Sequence, residues 1–360
     1  MAPIAHTLTQ GEYLDPEVYE LERAQIFHRG WFVAGRASRL APGNRDIVDV
    51  AGESVLLTRD RTGTVHAFAN VCRHRGARLC EGYSDSTQAS FMCPYHAWTY
   101  ALDGTLLATP RVEEGEIDRA DFPLWRHHVR EWEGFLFVSV ADTPPPFEQW
   151  LDTDGAELLA LERFGLGRLV VGATSRCVIE ANWKIVIENY LECLHCAHVH
   201  PEFADLVPHY RTGWSWEREH PRGGVTLSRG NSLAIHEKAI APLAPIEADD
   251  HGRYYSATVF PNAFVDLTAT CAVVSMLHPE GPARTVMTMD FLFSPEAVGS
   301  PDFDPTPIVE FNELVAAQDN TVCELVQRGV ASRRFDHGVL TKKDLLVKHF
   351  VDRYRMALAD

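Results

Sequence analysis

No stretch of eighteen consecutive apolar residues occurs in this sequence, so none of it reads as a membrane-spanning helix. The opening residues, MAPIAHTLTQGEYLDPEVYE, lack the basic start and apolar core of a secretory signal. The expectation is a soluble, cytoplasmic protein. Positive charge is also scarce. Lys and Arg number 33 against 50 Asp and Glu, a formal net charge of −17, which argues against a nucleic-acid surface. Such acidity can draw in a cationic ligand or a basic partner, although solubility alone would account for it. There is no internal repeat, no low-complexity tract, no G-x-G-x-x-G nucleotide fingerprint and no plant-type ferredoxin cysteine run. Cysteine is sparse, eight in 360 residues, and without an export signal it reads as metal ligand or core thiol rather than as a disulfide framework.

What remains is long enough for two cores, with 46% hydrophobic residues. Residues 14–29, with Pro16 in the first turn, pattern as one helix whose Tyr19, Ala24 and Phe27 fall near one face. From 31 to about 150, short β-type runs alternate with turn signals: RDIVDV, SVLLTRD, VHAFANV, SFMCPYHAWTY, GTLLATP and GFLFVSVA. The three prolines of ADTPPPFEQW (141–150) can continue neither a helix nor a central strand and mark a joint. Beyond it, NWKIVIENYLECLHC (182–196) is helical in pattern with Asn182 as N-cap. Strands are expected at 223–229, 254–260, 263–268, 271–278 and 284–293, then helices at 307–328 and from 341. The expected class is α+β: an N-terminal helical segment (1–35), an all-β domain (36–150), and a domain at 151–360 with an antiparallel sheet bracketed by helices.

Two clusters carry chemistry. Cys72-x-His74 and Cys93-x-x-His96, separated by 18 residues, each offer one sulfur and one nitrogen. Zinc fingers group two cysteines and then two histidines, whereas mixed pairs suit a 2Fe-2S cluster with both thiolates on one iron and both imidazoles on the other. Neutral imidazoles raise such a cluster's potential from roughly −400 mV towards −150 to +300 mV. Gly76 and Gly82 would let backbone approach the cluster, and a hydroxyl such as Tyr95 would tune its sulfurs. Cys80, between the pairs, is a spectator. The second cluster, ENYLECLHCAHVHPEF, holds Glu192, His195, His198 and His200. His195 and His200 lie about 140° apart on an ideal helix, so they share a metal only if the helix ends between them. Pro201 favours that end. Two histidines and a distant carboxylate would make the facial triad of a non-heme iron oxygenase. A solvated His-rich helix end is the alternative, and His198 rivals either histidine.

Together, Cys-x-His…Cys-x-x-His and Glu-x-x-His-x4-His about 100 residues later resemble the large subunit of Rieske non-heme iron oxygenases, from about residue 15 to the C-terminus. The resemblance implies a Rieske 2Fe-2S domain and a helix-grip-like catalytic domain. It implies Cys72, His74, Cys93 and His96 as cluster ligands, and His195, His200 and Asp319 as ligands of a mononuclear Fe(II). Asp319 rests on the resemblance alone; Glu313 and Glu324 are its alternatives. Glu192 matches the acid that links a Rieske histidine of one subunit to an iron-ligating histidine of the next, which implies a homotrimer. Glu192, NWK…ENYLECLHC and QD…CELVQRG resemble the branch acting on choline, glycine betaine, carnitine and stachydrine, with one departure, Leu194 where Tyr is common.

The implied reaction uses O2, with electrons from a separate flavin/iron-sulfur reductase that draws on NAD(P)H. It hydroxylates a C–H bond of a small molecule, foremost an N-methyl group of a quaternary ammonium compound, releasing formaldehyde. Trp214, Trp216, Tyr254, Tyr255 and Phe260 are aromatics available to face a quaternary ammonium, though sheet aromatics are more often core. Ring hydroxylation or O-demethylation of an aromatic acid is the rival on the same machinery. A Rieske electron carrier and a zinc-stabilised binding protein are the rivals of other classes.

Overall fold

Short β-branched and aromatic runs punctuated by turns build the first half of the chain. Six strands pair antiparallel in the order Phe32–Arg36, Phe135–Ser139, Arg126–Trp132, Val65–Ala69, Glu53–Arg59 and Arg45–Val50. A second, three-stranded sheet joins Ser90–Met92, Thr99–Ala101 and Leu106–Ala108. The strand Arg126–Trp132 escapes sequence patterning because RHHVREW is charged and largely exposed. Its register comes from a two-residue turn, Glu133 (φ 45°) and Gly134 (φ 70°), whose paired positive φ values match the twist of a tight hairpin.

The structure is a computed structural model, and it describes residues 5–82, 89–213, 224–236, 238–243 and 246–359. It separates into two units: residues 27–151, and residues 1–26 together with 152–360. The N-terminal stretch expected as a segment of its own at 1–35 is thus divided between them. The passage at 151–152 follows shortly after Pro144, Pro145 and Pro146.

In the second unit six strands form one antiparallel sheet: Val170–Ile179, Thr285–Phe293, Ala272–Pro279, Ala263–Thr268, Arg253–Val259 and Val225–Thr226. Four match the expected positions closely. The strand expected at 223–229 is reduced to two residues, and residue 223 lies outside the described ones. The ten-residue strand Val170–Ile179, at the sheet edge, was not foreseen. Its alternate residues, among them Thr174, Arg176 and Val178, are exposed, so the run lacks an apolar signature.

The expected helix at 14–29 is a short helix Pro16–Glu22, capped by Asp15, that continues as a π-helical turn Arg23–Phe27. Helix Trp183–Tyr190 begins where expected, with the Asn182 side chain accepting from the Lys184 N–H. Long helices Thr306–Val330 and Leu345–Ala359 complete the unit. A buried polar knot joins three of these helices. Glu22 accepts from Lys184 Nζ, from Trp183 Nε1 at 2.7 Å and from Tyr354 OH at 2.6 Å, with Glu22 and Lys184 at most 1% exposed. The knot ties the helix leading into Glu192 and His195 to both ends of the chain.

Candidate metal centres and the pocket beside them

The two Cys/His loops of the β unit share one backbone design. The Cys72 N–H donates to Ala77 O at 2.8 Å, and the Cys72 C=O accepts from Gly76 at 3.0 Å. Likewise the Cys93 N–H donates to Trp98 O at 2.8 Å, and its C=O accepts from Ala97 at 3.1 Å. In each loop the residue four past the cysteine, Gly76 (φ 71°) or Ala97 (φ 61°), is left-handed, which turns the chain back on itself. Both cysteines sink into the core with Phe91, Trp98, Tyr100 and Leu106, while His74 is exposed and His96 half-buried. The His74 and His96 rings face each other edge-on at 4.6 Å, with His74 stacked on Trp98 at 4.7 Å. Buried sulfurs and outward imidazoles fit a cluster with unlike iron surroundings. The hydroxyl at sulfur belongs to Tyr100, 3.4 Å from Cys72 Sγ, and not to Tyr95, which is 56% exposed and lies against His96. Cys80 is half-buried; its carbonyl accepts from Asn70 Nδ2.

The second cluster is built by a helix that stops early. The helix expected over 182–196 ends at Tyr190, residues 191–195 are non-helical, and a short turn Cys196–Val199 precedes His200, whose φ and ψ are −125° and 66°. That break brings His195 and His200 together, their rings 5.2 Å apart and nearly perpendicular. Asp319 reaches them from helix Thr306–Val330: its Oδ1 lies 3.2 Å from His195 Nε2 and 2.8 Å from His200 Nε2. Among the described residues, His195, His200 and Asp319 are the one group of donors within 4.8 Å of one another. His198 is exposed, and Glu313 is exposed and accepts from the Ser175 hydroxyl.

The donor set suits a metal. Each ring commits its Nδ1 proton elsewhere, His195 to Glu192 Oε1 at 2.6 Å and His200 to Gln318 Oε1 at 2.8 Å, so each Nε2 turns to the shared carboxylate. Such partners orient imidazole ligands and raise their basicity. Burial opposes charge on His195, but Asp319 and Glu192 outweigh it and push the pKa up to about 9. Burial would raise Asp319, yet the two imidazoles hold it below the ordinary range. Positive charge is favoured at this point of the fold. Cys193 and Cys196, expected as ligand or core thiols, are disulfide-bonded across the loop that carries His195.

A cavity of about 120 Å³ opens onto the triad. One wall is an aromatic cluster contiguous with His200: Phe203 packs edge-on against Tyr210, Tyr254 and Phe311 at 5.1–5.9 Å. The floor is one face of the sheet, with Tyr254 and Ser256, Phe264 and Asp266, Ser275, and Met287 and Met289 on successive strands. Of the three described aromatics singled out from sequence, Tyr254, Tyr255 and Phe260, only Tyr254 lines this cavity. Tyr255 donates to Asp250, Phe260 packs against Phe350 and Arg353, and Trp214 and Trp216 lie outside the described residues. Leu194 is 38% exposed and is not among the residues that line the cavity. Tyr190, Phe203 and Asp266 were missed. For Asp266 a signal existed: an acid inside the apolar strand AFVDLT, on the same face as Phe264.

A β unit with a Cys2His2 loop pair, and a helix-bracketed sheet with a two-histidine, one-carboxylate cluster, define a Rieske non-heme iron oxygenase. The family profile described as Rieske [2Fe-2S] domain matches residues 30–131, and that described as ring hydroxylating alpha subunit (catalytic domain) matches residues 166–360. The chain belongs to this family. It is an oxygenase subunit with a Rieske 2Fe-2S cluster and a mononuclear iron, acting with a reductase partner. The electron-carrier and zinc-protein readings fall with that membership. The glycine betaine monooxygenase oxygenase subunit of Chromohalobacter salexigens is 32% identical, over 97% of this chain and 85% of that one. The carnitine monooxygenase oxygenase subunit of Escherichia coli K12 is 27% identical, over 97% and 95%. A solved quaternary ammonium Rieske monooxygenase superposes with a TM-score of 0.80 at 25% identity, over 98% and 95%. Among the described residues no helix is long and apolar enough to cross a membrane.

Proposed function

We propose that this chain hydroxylates an N-methyl group of a betaine-type quaternary ammonium compound, with loss of formaldehyde. The observation that carries the reading is the aromatic wall of Phe203, Tyr210, Tyr254 and Phe311 beside His200. A quaternary ammonium has no N–H to donate, so aromatic faces and carboxylates are what hold it. The relatives named above support it. No Lys or Arg lines the cavity among the described residues, so no protein cation competes for the aromatic wall.

In this reading Cys72, Cys93, His74 and His96 hold the cluster, and His195, His200 and Asp319 hold the iron. The iron supplies O2 activation, with one electron of the pair drawn from the cluster. The chain's own contribution is positional. Gln318 and Glu192 fix the imidazoles, and the aromatic wall sets the N-methyl group towards the triad and keeps water from it. Hydroxylated methyl on nitrogen collapses to formaldehyde and a tertiary amine. We expect a homotrimer in which Glu192 connects the two metal centres of neighbouring subunits through His195. Light scattering tests the trimer. Glu192→Gln should slow reoxidation of the reduced cluster in a single turnover while leaving iron content intact; an unchanged rate would remove Glu192 from the path. The substrate test is formaldehyde release coupled to O2 uptake, with a surrogate reductase, on glycine betaine, carnitine, stachydrine and choline against benzoates and methoxybenzoates. Absence of uptake on every quaternary ammonium compound would sink the reading and leave the oxygenase class standing.

A further inference from the structure

We propose that Asp266, clasped by Tyr190 and Tyr254, is the anionic seat that selects the cationic head group of the substrate. The inference deepens the quaternary ammonium reading and rests on it. Asp266 projects from strand Ala263–Thr268 into the cavity, on the face shared with Phe264 and directly across from Ser256. It is not part of the His195–His200–Asp319 group. Among the described residues no Lys or Arg lines the cavity and no cation pairs with Asp266. A charge placed on a sheet floor with no partner is costly unless something supplies the opposite sign.

The two hydroxyls do not supply it. Tyr190 OH donates to Oδ1 at 2.7 Å and Tyr254 OH donates to the same oxygen at 2.5 Å, so both bonds fall on one side of the carboxylate. Burial and the Asp266 charge hold both phenols well above their ordinary pKa, so they remain donors. Burial raises Asp266 itself to about 6 despite those bonds, with Asp319 adding to the rise. A bound cation would offset that desolvation. The rings that would flank it are in place. Tyr190 stacks on Phe264 at 4.0 Å, and Tyr254 belongs to the wall with Phe203 and Tyr210. A carboxylate at the base of aromatic faces matches the chemistry of a trimethylammonium group.

The alternative is a structural one, in which Asp266 only accepts two phenolic hydrogen bonds. Asn accepts the same bonds without the charge, which separates the two. The probe pair is choline and 3,3-dimethylbutan-1-ol, identical in shape except for carbon in place of cationic nitrogen. Their Kd values are measured by calorimetry on the anaerobic holoenzyme, with the cluster EPR signal as the check on folding. The wild type should prefer choline by about tenfold or more, and Asp266→Asn should reduce that preference to about twofold. If Asp266→Asn does not fold, the apolar clasp (Asp266→Leu with Tyr190→Phe and Tyr254→Phe) should show the same loss. Retention of the wild-type ratio in either variant overturns the role of Asp266 and leaves the quaternary ammonium reading intact. A wild type that neither prefers choline nor turns over any quaternary ammonium compound overturns both.

Discussion

Replacing Lys184 by Met takes the cation out of the knot that anchors the helix leading to the loop that carries His195. Glu22 is fully buried and would be left with Trp183 Nε1 and Tyr354 OH as neutral donors for a full negative charge. Met has similar volume, so packing changes little and the electrostatic loss dominates. Breaking a buried pair from one side costs about 3–5 kcal/mol, because the surviving charge keeps its desolvation without its partner. For a unit of this size, that lowers Tm by roughly 6–20 °C. Lys184→Met combined with Glu22→Gln removes both charges and retains an acceptor for the two donors, so most of the loss should return. Urea unfolding followed by far-UV circular dichroism on wild type, both single variants and the double measures the coupling. A single variant within about 1 kcal/mol of wild type, or a double as unstable as the single, would refute the argument that this pair is a closed electrostatic unit.

Asp319→Asn should lower iron by about one atom per chain, leave the Rieske EPR signal in place and abolish O2 uptake, since the amide lacks the negative charge that draws a metal to two neutral imidazoles. Tyr100→Phe removes the hydroxyl 3.4 Å from Cys72 Sγ and should lower the cluster potential by roughly 50 mV in an EPR-monitored titration. Burial, only partly offset by Tyr13 and Lys184, lifts Glu188 from 4.5 to about 7. The folded state therefore binds more protons than the unfolded one, and the stability tied to protonated Glu188 is lost as pH rises from about 4.5 through 7. The loss is roughly 3 kcal/mol between those limits, and Glu188→Gln should flatten the stability curve between pH 4.5 and 7; an equal slope in the variant would contradict it.

The Cys/His pairs could be read from the sequence because each is a local loop: ligand type and spacing lie within a few residues, and the fold only had to bury the sulfurs and leave the imidazoles outward. The strands of both units were largely visible for the same local reason. Patterning missed the strands Arg126–Trp132 and Val170–Ile179, where charged or exposed residues hide the alternation. The helix expected through 196 stopped at Tyr190, because ending a helix there is decided by what the loop must bring together and not by propensity.

By itself, then, the sequence determined the chemistry on offer: two mixed Cys/His pairs, a Glu-x-x-His-x4-His run, an acidic composition and the strands that frame them. Only the tertiary structure decided which groups meet. It chose Asp319 over Glu313 and His200 over His198, put Tyr100 at the sulfur in place of Tyr95, and set Asp266 between two tyrosines on the cavity floor. Each of those choices joins residues far apart in the chain, and such contacts depend on packing and register, which no local pattern encodes.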